Sequence, residues 1–546
     1  MKTITKRARR KFKLPAIFLA FILTLWTMPI MVQAASEYTS DGATAFVFSD
    51  SDIAVTEGEY DGYKISGTDL TIHEAGTYIV SGSCADGSIR IKKGTTGVTL
   101  VLNGLTLGNA DTAPIVCNKS SEVTIVAAAD TINTLTDSAI NNDDTYPDNE
   151  EAENAVIKCK DGSNVTICGS GTLHITANGK NGIKSGATTE EEGEASLTIR
   201  TLTLNITASV NDAINAEQLL CIESGTLPIS AADDASHCDL EMNIGATDTA
   251  GPTILTHTCY EGLEAATLRI FSGNIDITAT DDCLNAANSD LTDYSFSMTI
   301  SGGTVIAYSS EGDGFDSNGD LTISGGTVLV WTANTADNQP LDADGTITVS
   351  GGTILAAGGS NGMGTHISAT QPYVTFGTTG RMGARPGESN DQSMTQIAEN
   401  TEVSVTAADG TTLYSTEAVC NVNYVFFSSE NLIEGGDYTL CADGTAVMTS
   451  AAQSGTSNGD FDERQPGMPA GNGEPPEMPN GGERPEAPGN GEPPEMPNGG
   501  EKPEAPGNGE PPEMPNGGEK PEAPGNGEPP EMPNGGESSE VPGNAV

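Results

Sequence analysis

A short element made of acids, a small residue and one aliphatic recurs along this chain, and acids in that pattern can hold a metal ion. The copies read "NDAINAE" from Asn211, "YEGLEAA" from Tyr260, "DDCLNAA" from Asp281, "GDGFDSN" from Gly312 and "QPLDAD" from Gln339. A basic-ended copy, "NGIKS", begins at Asn181. Side chains alternate along an extended segment. With the aliphatics Ile183, Ile214, Leu263, Leu284, Phe315 and Leu341 turned inward, the residue after each anchor turns outward. Glu264, Asn285, Asp316 and Asp342 then form one external column, and Asp212, Glu261, Asp282 and Asp313 a second, two residues before the anchors. Carboxylates stacked at about 5 Å repel unless a cation sits among them. Oxygen donors in that number suit calcium, which takes six to eight ligands at about 2.3–2.6 Å. The densest corner joins Glu311, Asp313 and Asp316 to Asp281, Asp282 and Asn285 of the preceding copy. The competing reading is that Asp, Asn and Gly here only make turns.

Something must hold these corners in register. Aligned on a Ser-Gly turn, the segments "IESGTLPIS" (Ile222), "IFSGNIDIT" (Ile270), "ISGGTVIAY" (Ile300), "ISGGTVLVW" (Ile323) and "VSGGTILAA" (Val349) repeat one design. The last three anchors lie 23 and 26 residues apart, which suits one coil of a parallel β-helix. Val305 and Ala307, Val328 and Val330, and Ile354 and Ala356 share one face and are expected inside. Ile306, Tyr308, Leu329, Trp331, Leu355 and Ala357 share the other. Tyr308 and Trp331, one coil apart, could form a platform for sugar rings. Alternatively, the segment 372–449 folds back over this apolar strip, which a soluble protein needs covered.

The rest of the chain falls into distinct zones. Residues 1–34 carry seven basic residues, an apolar run and "VQA" before Ala35, the pattern of a cleaved secretory signal. Removing those seven from the 24 basic residues leaves 17 against 76 acidic ones, a net charge of −59. Such a surface repels nucleic acid and anionic lipid. A β-helix is expected over 35–450, with 372–449 as a C-terminal β segment. Residues 451–546 contain four 18-residue copies close to "GNGEPPEMPNGGEKPEAP" and read as a disordered spacer, on the order of 200 Å long at ~3.1 Å per residue. The ten cysteines include no CxxC pair, which argues against a zinc ribbon, and their pairing is not legible.

The motifs "GTYIVSG", "VTLVLNGLTL", "INTLTD", "GSGTLHITANGKNGIKS", the repeated "SGGT" and "VFFSSENLIEGGDYTL" resemble those of the secreted clostridial-type carbohydrate-binding β-helix family, over roughly residues 39–449. The resemblance implies an all-β, right-handed parallel β-helix related to pectate lyases, with bound calcium and without established catalysis. Its members bind polygalacturonate and cellulose and typically carry "DGI" at the corners. Here the corners read "DAI", "EGL", "DCL" and "DGF".

The expected function is therefore non-catalytic, calcium-dependent binding of an acidic plant cell-wall polysaccharide, calcium bridging the carboxylates of protein and ligand. One alternative is a polysaccharide lyase, whose β-elimination needs a base. Lys184 is the candidate, with Lys180 and Arg269 weaker. Another alternative is a cell-surface adhesin or envelope protein with a different ligand.

Overall fold

A computed structural model describes residues 38–58, 61–333, 338–359, 367–377 and 394–456. The expected secretory signal, residues 1–34, and the four repeats within 451–546 lie outside these residues. The chain divides into residues 1–464 and 465–546, and the second unit falls wholly outside the described part. Every regular element described is a strand. Most belong to one sheet of 34 strands, whose neighbours are largely parallel and come from successive turns of the chain.

The coil unit is clearest at the corner element. Ile214–Ala216 is followed by Leu219–Ile222 and then Thr226–Ala231, each strand pairing in register with its counterpart one coil away. Three short strands thus make one coil, and stacking them gives the β-helix-like fold. Inward positions form apolar ladders. Ile183, Ile214, Leu263, Leu284 and Phe315 are completely buried, Leu341 nearly so, and all join one continuous core with Val305, Ala307, Val328, Val330, Ile354 and Ala356.

The Ser-Gly-Gly corners are tight for a definable reason. A Cβ on Gly302, Gly325 or Gly351 would lie 2.4 Å from a backbone oxygen of the preceding coil. The glycines that follow them, Gly303, Gly326 and Gly352, have φ of 82°, 84° and 89°, where a side chain is strained. Gly325→Ala is expected to cost about 1–3 kcal/mol, because the backbone must move to admit the methyl group. Urea unfolding measures this; unchanged stability would show a corner looser than its geometry.

The platform of Tyr308 and Trp331 is corrected by the fold. Trp331 is only 1% exposed. It sits in a second core with Leu355, Val374, Phe376, Val425 and Phe427, against which Tyr308 packs. The physical cause is the C-terminal segment. Tyr424–Ser428 pairs antiparallel with Thr353–Gly358 on the last full coil. A four-stranded antiparallel sheet of Glu402–Ala407, Thr412–Glu417, Asp437–Ala442 and Thr445–Ala451 contributes Val403, Val405, Tyr438 and Leu440 to the same core. The strip is covered at Leu329, Trp331, Leu355 and Ala357, while Ile306 stays exposed, and an indole inside a core cannot stack on a sugar. At the other end Ile53–Glu57 runs antiparallel to Thr44–Phe48, so both ends finish in strands that run against the coils.

Gln453–Thr456 still pairs with Ile367–Gly377, carrying regular structure beyond residue 450. All ten cysteines lie among the described residues, and none is joined in a disulfide. Cys159 faces the interior core, whereas Cys168, nine residues on, joins a separate outer cluster with Val101 and Val126.

Candidate functional site

The outward column after the anchors exists as a continuous ladder. His237 pairs with Glu264, Glu264 with Asn285, and Asn285 with Asp316. Phe315 bridges to Leu341, placing Asp342 next in line. The strands that carry these residues are only three residues long at Leu284–Ala286 and Phe315–Ser317, enough to fix one outward side chain between two inward ones.

The second column does two jobs. Asp212 accepts the N–H of Asp234 at 3.2 Å, Asp282 that of Asp313 at 2.6 Å, and Asp313 that of Gln339 at 2.5 Å, each from the next coil. One oxygen of each acid thus ties two coils together, as a turn-making role requires. The second oxygen of Asp212 accepts the Asn215 amide at 2.7 Å, whereas those of Asp282 and Asp313 meet no hydrogen-bond donor among the described residues.

Three groups converge most closely. Asp313, Asp316 and Asp342 each offer an oxygen within 4.8 Å of the others, as do Asp234, His237 and Glu264, and Asp212, Asp233 and Asp234. Ligands on opposite sides of a calcium at about 2.4 Å stand about 4.8 Å apart, so oxygens no farther apart than this can share one ion. Among the described residues no lysine or arginine pairs with Asp313, Asp316 or Asp342. Burial raises the pKa of Asp313 to about 8, of Asp282 to about 7 and of Asp316 to about 6, with neighbouring carboxylates adding to the rise. Burial likewise lifts Glu261 to about 8.

The densest corner read from the sequence is regrouped. Asp281 and Asp282 do lean across the coil boundary, since a Cβ on Gly312 would lie 2.2 and 2.6 Å from their Oδ1 atoms. Asn285 instead turns its amide to Glu261 at 3.0 Å, leaving its Oδ1 buried and without a partner. Glu311 is exposed and falls outside the three-carboxylate cluster, whose third member is Asp342 of the following coil.

His237 escaped the sequence reading. Its corner reads "DDASHC", with Ser236 at the inward position where the other coils have an aliphatic. Spacing was the available signal, because Ser236 lies between the anchors Ile214 and Leu263 at a coil's distance from each. The ring's Nδ1 lies 2.6 Å from Glu264 and 3.2 Å from Asp234, and its Nε2 3.0 Å from Asp239. Burial opposes the charged ring, but the three carboxylates outweigh it and hold the pKa well above the usual histidine range.

Lys184 also faces outward, in the same ladder, 3.5 Å from Glu217. Lys180 is bound to Asp144, and Arg269 to Glu241 at 2.8 Å. From Lys184 to Asp316 is five coil steps, about 24 Å at ~4.8 Å per step.

Comparison with known proteins adds the family. A curated carbohydrate-binding domain-containing protein of Acetivibrio thermocellus is 34% identical over 153 residues, which are 28% of this chain and 51% of that protein. The chain thus spans about half the length of this relative. A solved polysaccharide lyase-like protein from C. thermocellum, in its gadolinium derivative, is 21% identical and covers 57% of this chain and 93% of its own, with a TM-score of 0.30, a likeness too loose to argue from. The family model of carbohydrate-binding domain-containing proteins matches residues 66–362, more than half of the sequence and nearly all of the coils just described, and the chain belongs to that family.

Proposed function

We propose that this protein is an exported, non-catalytic binder of an acidic plant cell-wall polysaccharide of the polygalacturonate type, with calcium held at the acidic corners. The observation that carries the reading is the convergence of Asp313, Asp316 and Asp342, three half-buried carboxylates without a positive partner among the described residues. A divalent ion there would relieve their repulsion and, with open coordination positions, accept carboxylate oxygens from a uronate. This resolves the conflict between a strongly acidic protein and an acidic ligand.

Lys184 stands about 24 Å from Asp316, so a base there and a metal at this cluster cannot act on one sugar ring, which favours binding over elimination at this cluster. Incubation with polygalacturonate and calcium is expected to leave the ultraviolet absorbance of unsaturated product flat.

The test is affinity for polygalacturonate with calcium and with EDTA. Binding at least tenfold tighter with calcium is expected, together with calcium uptake by calorimetry. Equal affinity in both conditions, or no uptake, overturns the bridge. A glycan array run with calcium would separate this ligand from that of an envelope protein or adhesin.

A further inference from the structure

The ladder that carries the acidic corner changes sign along its length. Towards the N-terminus its outward positions are Lys184, Lys158, Val116 and Arg90, each paired in register with the next. Lys158 and Lys184 therefore stand on adjacent coils, about 4.8 Å apart at the backbone. Like charges so placed repel, just as stacked carboxylates do.

Two nearby acids, Glu153 and Glu217, favour the charged form of Lys158, but neither forms an ion pair with it. Glu153 is taken by Lys160 at 2.7 Å and approached by Arg90 at 3.6 Å. Glu217 lies 3.5 Å from Lys184. Lys158 is half-buried, and among the described residues its ammonium has neither an ion pair nor a hydrogen bond. Burial and the charge of Lys184 both lower its pKa. In a chain with 76 acidic residues, pairing a lysine is easy. A half-buried lysine left unpaired beside a second one is a place for an external anion.

We propose that Lys158 and Lys184 form a metal-independent subsite for carboxylate groups of an acidic polysaccharide, at the opposite end of the ladder from Asp316 and Asp342. The proposal rests on the function given above and deepens it. A linear polyuronate laid along the ladder meets ammonium groups directly at one end and calcium at the other. Replacing an ammonium group by a neutral side chain weakens the attraction without disturbing the metal cluster five coils away.

The experiment measures affinity for polygalacturonate in calcium for the full chain and for the Lys158→Met, Lys184→Met double variant, with calcium uptake followed in parallel. Expected are at least tenfold weaker binding, a shallower dependence on salt and unchanged calcium stoichiometry. Lys158→Arg with Lys184→Arg is expected to retain most of the affinity. Lys93→Met with Lys119→Met removes the same charge off the ladder and is expected to leave affinity unchanged, both lysines being paired with acids. Should the double variant misfold, Lys184→Met alone, at a side chain 25% exposed, carries the test through a smaller loss of the same kind. Calcium-enhanced binding that none of the ladder variants weakens overturns the subsite alone. Wild-type protein that ignores polygalacturonate with and without calcium overturns the function and the subsite together.

Discussion

Asp316→Asn combined with Asp342→Asn is expected to abolish uptake of one calcium and, in the absence of calcium, to leave the protein more stable than the wild type. The two effects have opposite signs, which makes the pair diagnostic. Asp316 and Asp342 belong to the three-carboxylate cluster, but unlike Asp282 and Asp313 they do not accept the N–H of a following coil. Replacing them removes repulsion without cutting a tie between coils. A ligand that binds only the native state at one hundred times its Kd stabilises it by about 2.7 kcal/mol, and the variant should lose that increment. Calcium calorimetry and thermal unfolding with and without EDTA read both quantities. Unchanged stoichiometry would return these residues to a turn-making role. Polygalacturonate affinity in calcium should fall with the metal.

The calcium-free protein should also lose stability steeply as pH rises from 5 to 8. Burial raises Asp316 to about 6, Asp282 to about 7, and Asp313 and Glu261 to about 8, whereas the unfolded chain titrates near 4. The folded state therefore keeps protons that the unfolded state has released. Stability from these groups is fully present below about pH 4 and disappears as pH passes through their folded values. Each unit is worth about 1.4 kcal/mol, so with partial exposure taken into account the set amounts to several kcal/mol. Calcium replaces the protons as counter-charge and should flatten the profile. Melting curves across this range in EDTA and in calcium provide the measurement, and a flat EDTA profile would contradict the burial of these carboxylates.

The coils were legible because period and alternation are local properties of the chain. Ile300, Ile323 and Val349 mark successive coils through spacing, and the inward ladder through Phe315 follows from period two. The covering of Trp331 was legible only as a physical necessity, since the strand that covers it, Tyr424–Ser428, is distant in sequence. Three features of the site were not readable. Ser236 at an inward position hid a coil and with it His237. The hydrogen bond from Asp313 to Asp282 depends on how coils stack, which no spacing records. Asp342 was legible as a member of the outward column, but its grouping with Asp313 and Asp316, in place of Asp281, Asp282 and Asn285, depends on how the coils stack.

The two sealed ends constrain how such a molecule can change over generations. A terminal addition would have to dismantle the antiparallel strands that close the sheet and expose a row of unpaired backbone groups, a template for end-to-end filaments. An internal duplication leaves both closures intact and inserts one more coil that bonds to identical neighbours. Growth is thereby quantised. Each coil added between Lys184 and Asp316 lengthens the distance between them by about 4.8 Å and by nothing in between. The protein is in effect a ruler, graduated in coils, whose span can be reset in whole divisions without recutting either end.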